Sequence, residues 1–399
     1  MQTLVNIFDP QEPLAAYLFL KQYYQSGDHI LFISTREDRT AVAPYASLFN
    51  LPEDSISIIS FHRDEDSYIY ERICRRLRAA LKPEMKYLVN LAGGTRYSAL
   101  AIQHVFTQFD ARFYYVQTRE NLVVSSFFDN NINDNDDVIE PISYRMTLAE
   151  YFELHNLQHD LYSRRHTPTR PYDDAQHIFQ CFKSRRLTGA AFHALELLRL
   201  HYRGTKNSIS LQSLRHGNII HSEGISGIDS LLRELGFVPQ VTDSLQPHEI
   251  DYLTGGWFEE YVYHTLLQAI EPQEIALGVR ISRPGMQHDN ELDVVFIKAN
   301  TLFVVECKTG VATDHLFNEI VYKACALKET FLGQSSHSYI FTLKNDYDHH
   351  LQQVADMMGI TLCPKSTLTT PKLMTDIANT MMRQAHEGKR APEVTISKM

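Results

Sequence analysis

The chain is poor in the features that mark secreted, membrane-spanning or zinc-stapled proteins. Its five cysteines (Cys74, Cys181, Cys307, Cys325, Cys363) are scattered and odd in number, without a CxxC pair, which argues against both a disulfide framework and a cysteine zinc site. No stretch reaches the ~18 consecutive apolar residues of a membrane span. The opening MQTLVNIFDP lacks the basic region and small-residue cleavage site of a signal peptide. A reduced, cytoplasmic setting is the expectation. No repeat of solenoid period is visible. Basic charge is also short, with 38 Lys and Arg against 48 Asp and Glu and a net charge of −10. That balance argues against a constitutive, high-affinity nucleic-acid binder, though not against an enzyme that meets nucleic acid transiently through a local basic groove. What remains is 44% hydrophobic and 22% charged residues over 399 positions, ordinary for a globular protein of two or three domains.

Residues 1–145 alternate short apolar runs with helical patterns. The runs 4–8, 29–34, 55–60, 86–91 and 112–117 are rich in Val, Ile, Phe and Tyr, and helices are predicted at 12–25, 38–49, 66–81 and 96–108. Continuous apolar strands separated by helices suit a parallel sheet covered on both faces, so this part is read as a Rossmann-like, doubly wound α/β domain. The acidic, Asn-rich segment 129–137 reads as an exposed loop. Residues 146–248 read as a smaller α+β connector, with helices at 147–160, 174–183, 189–202 and near 225–236, then a strand or wing at 236–243. That order suggests a winged-helix-like module whose Lys183, Arg185, Arg186, Arg199 and Arg203 are candidate phosphate contacts. The plainer and preferred reading is a structural connector. Residues 249–385 form a third, α/β unit, with a helix at 255–270 and strands at 277–283, 291–297 and 301–307. A helix at 314–331, a strand at 337–342 and a helix–strand pair at 347–363 complete it, and the tail 386–399 is expected to be poorly ordered.

The chemistry is written most plainly in ELDVVFIKANTLFVVECKTG (291–310), two apolar strands joined by a KAN turn. Asp293 lies at the beginning of the first strand, Glu306 and Lys308 at the end of the second. Strand residues two apart share a face, so Glu306 and Lys308 emerge together while Cys307 faces away, and the hairpin brings Asp293 near them. Two carboxylates offer hard oxygen ligands for Mg²⁺ or Mn²⁺, which would polarise a phosphoryl oxygen and acidify an attacking water. Lys308 is suited to orienting that water and to offsetting charge on the phosphorus. Carboxylates and a lysine at the end of a buried strand are costly unless they bind something. The spacing D-x₁₂-E-x-K resembles the PD-(D/E)xK nuclease core, with Leu292 where that motif has proline. The resemblance extends to GGWFEEYVYHTLL (255–267), where Gly256, Glu259 and Val262 fit the G-x-x-E-x-x-V setting of an additional helix carboxylate. It therefore implies Glu259 as a fourth site residue, with Glu260 as a solvated neighbour. Gln287, His288, Tyr322 and Lys323 are weaker candidates for substrate contact.

A second informative segment is LVNLAGGTRYSALAIQHVF (88–106). A strand ends at Leu91, Gly93 and Gly94 permit a tight turn, and Thr95 caps a helix opening with Arg96; backbone N–H groups there, with the Arg, suit a phosphate. The segment is neither G-x-G-x-x-G nor a P-loop. Asp9 and Gln11 after the first strand, and Ser34 and Thr35 after the second, should face the same crevice, since ligands bind at the carboxyl ends of parallel strands. A Rossmann-like domain with GGT-R after its fourth strand, a further module and a C-terminal nuclease together resemble the CARF–nuclease effectors of type III CRISPR defence. The resemblance covers almost the whole chain. It implies a homodimer that binds cyclic tetraadenylate across its two-fold axis, with Gly93, Gly94, Thr95 and Arg96 as the phosphate cradle, and a nuclease for DNA, RNA or both that this binding switches on. Two other readings compete: a nucleotide-sensing transcription regulator, against which the Asp293, Glu306 and Lys308 trio speaks, and a restriction or repair nuclease with a different N-terminal ligand.

Overall fold

The computed structural model describes residues 2–9, 12–34, 42–52, 55–61, 70–125, 138–217, 224–286, 289–309, 314–333, 336–343 and 349–368, with 379 and 381. Gln11, Thr35, Gln287, His288, the loop 129–137 and the tail 386–399 lie outside the described residues. All statements of structure below concern the described residues.

The N-terminal part runs β1 (Thr3–Ile7), α1 (Leu14–Tyr23), β2 (His29–Ser34), α2 (Ala43–Phe49), β3 (Ile56–Ser60), α3 (Tyr70–Ala80), β4 (Lys86–Asn90), α4 (Arg96–Phe106), β5 (Asp110–Gln117), β6 (Leu122–Ser125) and β7 (Val138–Pro141). Its sheet has the order β3-β2-β1-β4-β5-β6-β7, and the first five strands are parallel. Alternate residues of β1 feed two cores, Leu4 the one under α1 and Val5 and Ile7 the one under α3 and α4. A strand buried on both faces reads as unbroken apolar sequence. The sheet is mixed rather than wholly parallel, because β6 and β7 add antiparallel to the edge at β5. Both are four residues long. β7 is mostly exposed and so carries little apolar signal, whereas the Leu122–Val124 run of β6 was a signal that went unread.

The connector runs α5 (Leu148–Leu154), β8 (Gln158–His159), α6 (Tyr172–Lys183), α7 (Gly189–Tyr202), β9 (Ile209–Ser210), α8 (Leu211–His216), α9 (Ile228–Glu234), β10 (Ser244–Leu245) and α10 (Pro247–Asp251). The expected helix over 147–160 stops early, because Asn156 takes a left-handed backbone (φ 55°) and the chain then extends into β8. The small sheet pairs β9 with β10, so the strand lies just beyond the expected 236–243.

The C-terminal part continues from α10 through a π-helical turn (Tyr252–Gly256) into α11 (Trp257–Ile270), β11 (Glu274–Ser282), β12 (Asn290–Lys298), β13 (Thr301–Lys308), α12 (Asp314–Leu327), β14 (His337–Thr342), α13 (His349–Met357), β15 (Ile360–Cys363) and α14 (Lys365–Leu368). Its sheet has the order β15-β14-β13-β12-β11-β8, so the connector lends an edge strand. One face packs on α11 and the connector helices through Val294, Phe296, Phe303 and Val305. The other packs on α5 and the N-terminal domain through Val295, Ile297, Leu302 and Val304. No helix is long and apolar enough to cross a membrane.

Candidate active site

The β12–β13 hairpin sets the geometry. Lys298 pairs with Thr301 across Ala299 and Asn300, whose φ angles are 49° and 61°. Two successive left-handed residues make the two-residue turn whose twist matches paired strands. Counting back from it, Val294 faces Val305, and the ladder ends there. Beyond that point the Asp293 carboxylate substitutes for a backbone acceptor: the Cys307 N–H donates to Asp293 Oδ2 at 2.7 Å. The inside–outside alternation also resets here. Leu292 and Val295 join the core shared with the N-terminal domain, whereas Val294 and Phe296 join the core under α11. In β11 the residue between Leu277 (opposite Val294) and Val279 (opposite Leu292) is Gly278, with φ 59°, a conformation favouring glycine. This local twist brings Asp293 into the site.

Lys308 Nζ lies 2.5 Å from Glu306 Oε1 and 3.5 Å from Asp293 Oδ2. Cys307 is buried in the core beneath, as the two-residue strand period requires. Burial raises the Asp293 carboxyl to about 6, with Glu306 adding to the shift and Lys308 opposing it. On α11, half-buried Glu259 is pushed up to about 8 by burial and then by Asp293. Although burial opposes it, Asp293 and Glu306 hold Lys308 above the ordinary lysine range. Negative charge thus exceeds what one ammonium neutralises, and a hard divalent cation would relieve it. Magnesium needs only one or two carboxylates, its other ligands being waters and substrate phosphate. Asp293 and Glu306 fit that demand, although no three acidic, histidine or cysteine side chains among the described residues form a metal cluster.

Glu260 is not solvated. It is buried and accepts hydrogen bonds from Thr169 N (2.7 Å), Thr169 Oγ1 (2.6 Å) and Arg170 N (3.2 Å), fastening the connector to α11. Lys323 lines the same groove as Glu306, whereas Tyr322 is exposed. Lys183, Arg185 and Arg186 stand exposed at the turn after α6. Arg199 and Arg203 of the connector reach the nuclease side instead. Arg199 donates to Thr254 O at 3.2 Å and to Thr309 Oγ1 at 3.0 Å, and the Arg203 charge lowers the Glu259 pKa.

A second site lies at the carboxyl ends of β1 and β4, where the strand order turns. Gly93 (φ 104°) and Gly94 (φ 63°) press on β1: a Cβ on Gly93 would lie 2.8 Å from Ile7 O, and one on Gly94 2.5 Å from Ile7 Cγ2. Asp9 borders the same turn, its Cβ 3.9 Å from that of a side chain built on Gly93. Thr95 caps α4, accepting from Ser98 N at 3.1 Å while its own N–H donates to Ser98 Oγ at 3.1 Å. Arg96 is exposed at the helix start, and Ser34 is buried at the end of β2. Beneath the crevice, fully buried Asn90 donates to Asn6 Oδ1 at 3.0 Å and accepts from Ala92 N at 3.0 Å, bracing the glycine turn. These asparagines escaped the sequence reading, though a polar residue inside NIF and LVN runs was the available signal.

Two family models match the chain: the Card1 CARF domain over residues 4–151 and the Card1-like endonuclease domain over residues 248–377. Among solved structures, protein VC1899 from Vibrio cholerae superposes with a TM-score of 0.71 at 17% identity, covering 96% of this chain and 98% of that one. Can2 from Sulfobacillus thermosulfidooxidans, solved in complex with cyclic tetra-adenylate, superposes with a TM-score of 0.68 at 15% identity, covering 96% and 99%. At such identities the likeness is one of fold. No curated protein matches in sequence.

Proposed function

This chain, with a CARF domain at 4–151 and an endonuclease domain at 248–377, belongs to the CARF–nuclease effectors, and we propose that it is a metal-dependent PD-(D/E)xK nuclease switched on by cyclic tetraadenylate in type III CRISPR antiviral defence. The observation that carries this reading is Lys308, held between Glu306 at 2.5 Å and Asp293 at 3.5 Å within a half-buried carboxylate cluster. Asp293 and Glu306 would hold Mg²⁺ or Mn²⁺, which when bound would supply Lewis acidity to the phosphoryl group and acidify the attacking water. Glu259, whose carboxyl feels the Asp293 charge, is the proposed third metal ligand once the ion draws the carboxylates together. Lys308 stays protonated among these carboxylates, so it can donate a hydrogen bond to a phosphate oxygen and offset developing charge. The Cys307 N–H holds the Asp293 carboxylate in place for that work. The activator would bind across a homodimer in the crevice bordered by Asp9 and Gly93–Arg96, its phosphates on the N-terminus of α4. Gln11 and Thr35, which lie outside the described residues, belong to the same proposed set by their place in the sequence after β1 and β2. DNA and RNA are both candidate substrates, and the cytoplasm is the expected compartment.

The test is cleavage of plasmid DNA and of single-stranded DNA and RNA oligonucleotides, with and without cyclic tetraadenylate, in Mg²⁺ and in Mn²⁺. Cleavage is expected only with activator and metal, and Glu306→Ala and Lys308→Ala should each lose roughly 10²–10³-fold or more. Persistent cleavage by both variants would overturn the site, and cleavage indifferent to the nucleotide would overturn the activator.

A further inference from the structure

Helix α7 of the connector runs its C-terminal end onto the nuclease site. Arg199 is its anchor: Nε donates to Thr254 O at 3.2 Å, Nη2 to Thr309 Oγ1 at 3.0 Å, and Nη1 pairs with Glu196 at 2.8 Å. Those contacts tie α7 both to the turn that precedes α11 and to the residue after Lys308. Arg203 comes directly after α7, at its C-terminal cap, where the backbone leaves the helix (φ −58°, ψ 132°). Its guanidinium lies against Gly255, whose Cβ, if it had one, would be 3.4 Å from Nη2 and 3.7 Å from Nη1. The chain beyond is pinned as well, since the Gly204 N–H donates to Asp251 Oδ1 at 2.9 Å.

Arg203 differs from its neighbour in having nothing to hold. It is exposed, and among the described residues no hydrogen bond or ion pair engages it. Its charge nevertheless reaches Glu259. A chain with net charge −10 has carboxylates to spare, yet this guanidinium is mounted beside the acidic site without closing on one. A structural arginine would be neutralised, as Arg199 is by Glu196. A guanidinium seated against Gly255, four residues before Glu259, and paired with no carboxylate among the described residues, is suited to bidentate contact with a phosphate oxygen pair.

We propose that Arg203 is a substrate-phosphate ligand supplied to the nuclease site by the connector, with Arg199 as the residue that positions it. This rests on the nuclease reading above and extends it: the substrate-binding surface is built by two domains. Arg199 and Arg203 of the connector then serve the adjacent active site rather than an independent nucleic-acid surface.

The experiment measures equilibrium binding of a fluorescein-labelled single-stranded oligonucleotide by the full-length protein with cyclic tetraadenylate, in Ca²⁺, over a series of salt concentrations. Cleavage is followed in parallel in Mn²⁺. Arg203→Ala should weaken binding by about tenfold and lower the slope of log affinity against log salt by about one, as loss of one phosphate contact does. Arg203→Lys should retain the slope with reduced affinity, because a point charge replaces the fork. The thermal midpoint should not move. Unchanged affinity and slope in Arg203→Ala, with wild type binding and cleaving normally, would overturn the role of Arg203 alone. A wild type that neither binds nor cleaves would instead sink the nuclease reading itself.

Discussion

Glu259 shows how a single carboxyl records what the site is built for. Burial and the neighbouring Asp293 raise it from its ordinary 4.5 to about 8. A carboxyl raised in the folded state lends stability that is full below the unfolded value and lost as pH rises through the folded one. The metal-free protein should therefore lose stability between about pH 4.5 and 8 through this group, and Asp293, raised from 3.8 to about 6, adds to the loss at the lower end. Glu259→Gln removes the buried charge. Its metal-free melting temperature should exceed that of wild type at pH 8 by the equivalent of about 1–3 kcal/mol, with little difference at pH 5. Added Mn²⁺ should stabilise wild type more than the variant. Melting curves at both pH values, with and without Mn²⁺, check this; an equal offset at pH 5 and pH 8 would show that the effect is not electrostatic.

The element that joins the site to the rest of the molecule is the β12–β13 turn. Asn300 is fully buried, and its side chain donates to Asn121 Oδ1 (2.8 Å) and Tyr144 O (2.9 Å) and accepts from Met146 N (2.9 Å) and Gln273 Nε2 (3.0 Å). Asn121 closes the β5–β6 hairpin of the N-terminal domain, and Tyr144 and Met146 lead into α5, so two hairpins of different domains are fastened turn to turn. Asn300→Ala strands these buried partners and should cost roughly 2–4 kcal/mol in urea unfolding. The same hairpin carries Asp293, Glu306 and Lys308. The variant's cleavage should accordingly respond less to activator at temperatures where it remains folded; an unchanged response would place the coupling elsewhere.

At the scale of the whole molecule, the N-terminal domain and the nuclease share a core rather than a tether. Tyr151 and Phe152 of α5 sit in one cluster with Leu4, Tyr17 and Phe32 on one side and Val279, Val295 and Val304 on the other. Tyr151 also donates to Leu332 O at 2.6 Å. A ligand that shifts α1 or the glycine turn therefore acts on a packed body, which transmits displacement because it has no slack. Arg96, exposed at the start of α4 and far from Lys308 in sequence, is the residue to test. Arg96→Ala should raise the cyclic tetraadenylate concentration needed for half-maximal cleavage by about tenfold or more, through loss of a charge-assisted phosphate contact. Calorimetric titration beside a cleavage dose series checks this, and an unmoved dose curve would remove Arg96 from the cradle.

Much of this was legible in the order of residues because it obeys short-range rules. The apolar runs of β1 to β5 alternate with helices and so declared the α/β sheet. ECK at a strand end put Glu306 and Lys308 on one face, where their side chains meet, and GGT before α4 gave a capped turn. What escaped was whatever depends on a distant partner. The Leu122–Val124 run was a usable strand signal that went unread, whereas little in 138–141 announces a strand, since that segment is held by pairing with β6. Glu259 was picked out by its place in G-x-x-E-x-x-V, but the burial of Glu260 under hydrogen bonds from Thr169 and Arg170, about ninety residues away in sequence, was not. Arg203 reads as one more surface charge until α7 is laid against Gly255. The sequence by itself determined which reactive side chains share a strand end, because side-chain type and strand period are local properties. Tertiary structure alone decided that Glu260 is buried and that Arg199 and Arg203 stand by the nuclease side, because burial and proximity are set by what packs alongside.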